Sequence, residues 1–150
     1  MTYQIIYSSE SATPMQTDDL EELLNQARRN NAESGITGAL VYVDGIFLQI
    51  LEGEMGTVQD LMARIAHDVR HETVTVLRES DIPAARFPGW EMAYVSATAE
   101  QIAKWAGIEG IVDMPHVVAS LHQDARKAAQ VTQSILAALT PVATSSSKVN

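Results

Sequence analysis

Phe47-Leu48-Gln49-Ile50-Leu51-Glu52-Gly53 is nearly all apolar, opens after Gly45 and closes at Gly53. A short apolar run between two breaks reads as a buried strand. Gln49 sits at its centre. A buried amide has to pair both its donor and its acceptor end, and an end left unpaired costs about 1–3 kcal/mol. Neighbouring backbone is the commoner partner for such an amide, and a bound ligand is the other. The residues on either side of the strand bear on the choice.

Immediately before it, Asp44-Gly45 is a tight-hairpin signal that joins it to a strand over Gly38 to Val43. Immediately after it, Met55 to about Val69 carries Val58, Leu61, Met62, Ile65 and Val69 at helical spacing. Further out, Leu20, Leu23, Leu24 and Ala27 stripe another helix starting near Thr17 or Asp18. Asp18 and Glu21 have capping-box spacing, Arg28 and Arg29 suit the C-terminal end of the helix dipole, and Asn30 and Asn31 close the helix. Tyr3 to Ser9 reads as the first strand, with Tyr3, Ile5 and Tyr7 on one face. Thr73 to Leu77 is the fourth. Trp90 to Val95 is the fifth, with Trp90, Met92 and Tyr94 on one face. The order βαββαββ predicts an α+β, ferredoxin-like fold: a five-stranded mixed sheet with two helices on one face. That topology makes the first and third strands neighbours, which sets Tyr7 beside Gln49 under the helices. Thr98 to Ala106 and Pro115 to Leu139 predict C-terminal helices that cap the other face. The chain therefore divides into a core over 1–97, a helical cap or output segment over 98–139 and a flexible tail over 140–150.

Composition excludes several classes. Of 150 residues 46% are apolar, enough for one packed domain. No run of about 18 apolar residues predicts a membrane span, and Met1-Thr2-Tyr3-Gln4 has no signal-peptide shape. The absence of cysteine removes disulfides, thiolate metal sites and a Cys nucleophile. These features predict a cytoplasmic protein. Nineteen acidic residues against ten basic ones argue against nucleic-acid binding. His67 and His71 stand four apart, a zinc-ligand spacing on a helix, but Asp68 replaces the Glu of a metalloprotease motif. A surface helix end is the better reading, and no metal site is predicted. Gly35-Ile36-Thr37-Gly38 lacks a Walker lysine and reads as a turn. No catalytic residue is assigned. Taken singly, Trp90 and Met92 read as core, and Asn30-Asn31 as a helix end.

Together these pieces resemble the BLUF family, the flavin-binding blue-light sensors, over residues 2 to 97. The resemblance rests on Ile6-Tyr7-Ser8-Ser9, Asn30-Asn31 followed by Gly35-Ile36-Thr37-Gly38, Phe47 to Gly53, Asp68-Val69-Arg70-His71, and Phe87-Pro88-Gly89-Trp90-Glu91-Met92. It implies a flavin, usually FAD, with FMN or riboflavin as alternatives, held between the two helices. Asn31 matches the Asn that contacts the flavin carbonyl edge, and Asn30 is its neighbour. Arg70 and His71 match the pyrimidine side, with Asp68 positioning them. Arg64 is the candidate for phosphate, while Ile36, Phe47 and Ile65 supply apolar wall. The family picture makes Tyr7 the photochemical partner, giving up an electron and a proton, with Gln49 between it and the flavin. The amide then rotates or tautomerises, and the flavin keeps a changed hydrogen bond and a red-shifted spectrum. Trp90 and Met92 are the implied exit for the signal. The chain reads as a short photoreceptor, not an enzyme, that acts on an unknown downstream protein or through homo-oligomers. The alternative is a ferredoxin-like regulatory module that binds a small molecule without photochemistry. An acylphosphatase-like hydrolase would need an Arg between Ser8 and Gln16, and that stretch has none.

Overall fold

A computed structural model describes residues 1–110 and 113–139. Five strands, β1 (Thr2–Ser11), β2 (Thr37–Val43), β3 (Ile46–Gly53), β4 (His71–Ile82) and β5 (Ala93–Tyr94), form one sheet in the order β4-β1-β3-β2-β5. Helices α1 (Thr17–Ser34) and α2 (Met55–His67) follow β1 and β3. Helices α3 (Ala99–Trp105), α4 (Met114–Gln123) and α5 (Ala125–Leu139) follow β5. The β4-β1-β3-β2 pairs are antiparallel, and β5 lies parallel to β2, so the sheet is mixed as expected. The predicted ferredoxin-like α+β arrangement is present.

The sheet separates two cores, as strand alternation requires. Tyr3, Ile5, Tyr7, Leu40, Phe47, Leu51 and Met92 pack on the α1/α2 face. Ile6, Ala39, Val41, Leu48, Ile50, Phe87 and Ala93 pack on the α3–α5 face with Ile102, Val117, Leu121 and Ile135. The hairpin signal forms as read: Asp44 and Gly45 both take positive φ, at 52° and 80°, as a type I′ turn requires.

Several expectations need correction. The first helix runs to Ser34, so Asn30 and Asn31 lie inside it and Gly35 (φ 70°) is the cap. Its N-terminal pairing is between the Gln16 N–H and the Asp19 carboxylate (3.1 Å), not between Asp18 and Glu21. The second helix stops at His67, because Asp68 turns extended there. His71 consequently starts β4 and shares no helix with His67, and no group of three metal-ligating side chains occurs among the described residues. The fifth strand is only Ala93–Tyr94. Trp90 lies outside it and is 43% exposed while Met92 is 2% exposed, so the two do not share a face. The long C-terminal helix is two, broken at Asp124, whose carboxylate takes the Arg126 N–H at 3.0 Å. The predicted tail over 140–150 lies outside the described residues.

A passage of chain joins the two cores. Glu52 on β3 is fully buried, and its carboxylate accepts the backbone N–H groups of Arg86 (2.9 Å) and Phe87 (2.9 Å) and the Gln4 amide (3.0 Å). Phe87 lies in the α3–α5 core and Met92 in the α1/α2 core. The chain therefore passes from one face of the sheet to the other between them.

Candidate functional site

Register places the first pair. Tyr7 of β1 stands directly opposite Gln49 of β3, which in turn stands opposite Leu40 of β2. Facing strand residues lie about 4.5–5.5 Å apart and can bond side chain to side chain. The Tyr7 hydroxyl donates to Gln49 Oε1. Gln49 Nε2 contacts Met92 Sδ at 3.4 Å. Tyr7 is wholly buried, and burial first, then the nearby Asp68 charge, pushes its phenol pKa well above the ordinary value. The phenol is therefore protonated at any working pH.

Gln49 forms the floor of a cavity of about 220 Å³ between α1 and α2. Positions 23, 26, 27, 30 and 31 of α1 line one side, and 61, 64 and 65 of α2, with Asp68 beyond it, line the other. These spacings of three and four residues define one face of a helix. Along α1 that face changes from apolar (Leu23, Ala27) to amide (Gln26, Asn30, Asn31). Leu40, Phe47, Arg70 and His71 complete the wall.

Of the sequence-predicted residues, Asn30, Asn31, Phe47, Gln49, Arg64, Ile65, Asp68, Arg70 and His71 all meet here. Ile36 does not line the cavity; it is buried in the α1/α2 core. Trp90 is outside it. Leu23, Gln26, Ala27, Leu40 and Leu61 were missed as lining residues. The helical-face spacing was the signal available for those on α1 and α2.

The polar groups are held in place. Asp68 receives Arg70 Nη2 at 2.6 Å and Nε at 3.0 Å. The Arg70 hydrogen bond pulls the Asp68 carboxyl down to about 2. Burial lowers the His71 pKa, which favours neutral imidazole. His71 Nδ1 lies 2.8 Å from Ser9 Oγ, and its ring packs on Phe47 with centroids 4.7 Å apart. Asn31, buried, donates through Nδ2 to the Glu91 carbonyl at 2.6 Å. Arg28 was also missed. Its Nε donates to the Met92 carbonyl at 2.8 Å rather than serving the end of the helix dipole.

The donor set fits a flavin. Apolar walls suit a fused ring, and amides suit an edge that presents carbonyls and an N–H. Asn31 Oδ1 and the Arg64 guanidinium have no hydrogen-bond partner among the described residues, which leaves one acceptor and one cation in the wall.

The profile described as "BLUF: Sensors of blue-light using FAD" matches residues 2–93. Photoactivated adenylate cyclase subunit beta of Euglena gracilis is 34% identical over 108 residues, 72% of this chain and 12% of that protein. The chain thus spans about an eighth of that curated relative. Among solved structures, "BlrB - a BLUF protein, dark state structure" superposes with a TM-score of 0.73 at 25% identity, covering 91% of this chain and 96% of that one. "BlsA photo-activated state" does so with a TM-score of 0.74 at 26% identity, covering 91% and 95%. Sequence profile, curated relative and fold agree that this chain belongs to the BLUF family, the flavin-binding sensors of blue light.

Proposed function

We propose that Tyr7 is the photochemical partner of an FAD held between α1 and α2, that Gln49 is the amide that switches, and that the signal leaves through Met92. The observation that carries this reading is the bonded series Tyr7–Gln49–Met92, with Gln49 in the cavity wall and the phenol sealed behind it. Asn31 and Gln49 are the amides for the ring edge, Asn30 and Gln26 flank them, Phe47 and Ile65 pack on the ring, and His71 and Arg70 close the pyrimidine side, with Asp68 fixing Arg70. Arg64 is the cation for phosphate. Bound flavin supplies an excited state that is strongly oxidising under blue light.

Tyr7 is suited to answer it. A neutral buried phenol releases its electron only if its proton leaves as well, and Gln49 Oε1 is its acceptor. An amide whose carbonyl is briefly protonated is free to exchange donor and acceptor ends, and the proton and the electron then return to Tyr7, which leaves both side chains neutral. Once its ends have exchanged, Nε2 no longer meets Met92 Sδ. The pairing on Met92 is then lost, and the two-residue β5 next to it is biased toward a second position. The downstream element is a partner protein or a second copy of the chain, reached through the α3–α5 cap.

The test is the visible spectrum of the purified, FAD-loaded protein before and after blue light. The expected result is a flavin spectrum that shifts red and returns in the dark. Tyr7→Phe should still bind flavin and lose the shift. A normal photocycle in Tyr7→Phe overturns the role of Tyr7, and a colourless protein that refuses added flavin overturns the whole reading.

A further inference from the structure

We infer that Arg28 on α1 is a latch that fixes Met92 against Gln49, and so a positioning residue for the switch; this rests on the reading of Gln49 and Met92 given above. Met92 is held at two ends. Its Sδ receives Gln49 Nε2 at 3.4 Å, and its carbonyl oxygen receives Arg28 Nε at 2.8 Å. Three residues on, and therefore beside it on the helix, Asn31 donates to the preceding carbonyl, that of Glu91, at 2.6 Å. Two successive carbonyls of one segment are thus clamped by side chains of a single helix.

Met92 and Ala93 are buried in the two cores, but the clamp matters because few backbone bonds hold the segment. Its strand is Ala93–Tyr94, paired on one side only. The remaining backbone ties to β2 are Gly38 N–H to the Trp90 carbonyl and Val95 N–H to the Leu40 carbonyl, each 3.0 Å. Upstream, Gly89 takes φ 85° and Trp90 is exposed, so the chain there is a surface turn. Arg28 is the charged contributor to this arrangement, and charged donors make the stronger hydrogen bonds. It forms no ion pair among the described residues and does not line the flavin cavity. Its function is therefore separable from cofactor binding, unlike that of Asn31. A carbonyl fixed at α1 keeps Met92 Sδ within reach of Gln49. Withdrawal of the Met92 backbone requires this bond to break, so Arg28 sets how firmly the dark position of the segment is kept.

The test uses the whole chain loaded with FAD and kept in the dark. Hydrogen exchange is followed in peptides covering residues 88–97 and, separately, α1. Arg28→Met keeps length and helix propensity but removes the donor. Exchange around Met92–Val95 should rise about tenfold, the low end for a hydrogen bond to a charged group. Protection of α1 and the dark flavin spectrum should stay as in the parent, while the dark-recovery rate after blue light changes. Arg28→Lys, which restores a charged donor, should return most of the protection. Unchanged exchange and recovery in Arg28→Met overturns the latch. So does exchange that rises equally in α1, or an Arg28→Lys variant no better protected than Arg28→Met. If the parent protein shows no red shift at all, the Tyr7–Gln49 reading fails, while the dark exchange comparison still judges the latch.

Discussion

Gln49 has two bonds to lose, and each loss reads differently. In Gln49→Leu the Tyr7 hydroxyl, wholly buried, keeps no acceptor, which costs about 1–3 kcal/mol. The expected outcome is a flavin-binding protein of lower melting temperature without a red shift, checked by difference spectroscopy and a thermal melt. Asp68 gives a pH signature. Its hydrogen bonds from Arg70 lower its pKa from the ordinary 3.8 to about 2. In the window between those values the unfolded chain binds the proton and the folded chain does not. The contribution is thus complete above about pH 4 and is lost as pH falls toward 2. Asp68→Asn should flatten that acid loss in stability measured across pH 2 to 5, with a small effect at pH 7 because both partners are partly solvated.

At the scale of elements, β2 and β3 lie close enough that Gly38 has no room for a side chain. A Cβ there would stand 1.9 Å from the Ile50 carbonyl oxygen. Gly38→Ala should separate the pair on which Leu40 and Gln49 face each other. We expect about 1–3 kcal/mol of destabilisation or worse, read in a denaturant melt. The hairpin, α1 and α2 were legible in the sequence because alternation, stripe and Asp-Gly turn agree there. The full length of β4 was not, since residues 78–81, Arg78-Glu79-Ser80-Asp81, extend it by backbone pairing with β1 and carry no apolar pattern. Trp90 read as a strand residue through alternation with Met92 and Tyr94. The positive φ of Gly89 and a backbone bond from Trp90 to Phe87 make it part of a turn. The cavity was legible in its amides and in Arg70-His71, because those lie in contiguous motifs. Gln26 and Arg28 were not, since they act across the fold, on the cavity and on Met92.

At the scale of the molecule, the sheet is a partition between a core that meets the cofactor cavity and a core that meets α3–α5. Leu121 is buried in the second. Leu121→Ala should cost about 2–5 kcal/mol and lower the melting temperature by several degrees. The red shift should persist below the melt, because no residue of the first core is touched. A proportionate loss of the shift at low temperature would show that the two cores are not separable.

Trp90 lies on the passage between those cores, exposed, two residues from Met92. The chain has one other tryptophan, Trp105 on α3. Trp105→Phe would therefore leave an indole at that one location, and its emission would report the motion of this segment without any attached dye. An exposed side chain thereby gives the protein a built-in optical gauge, readable in real time at the point where one face of the sheet is connected to the other.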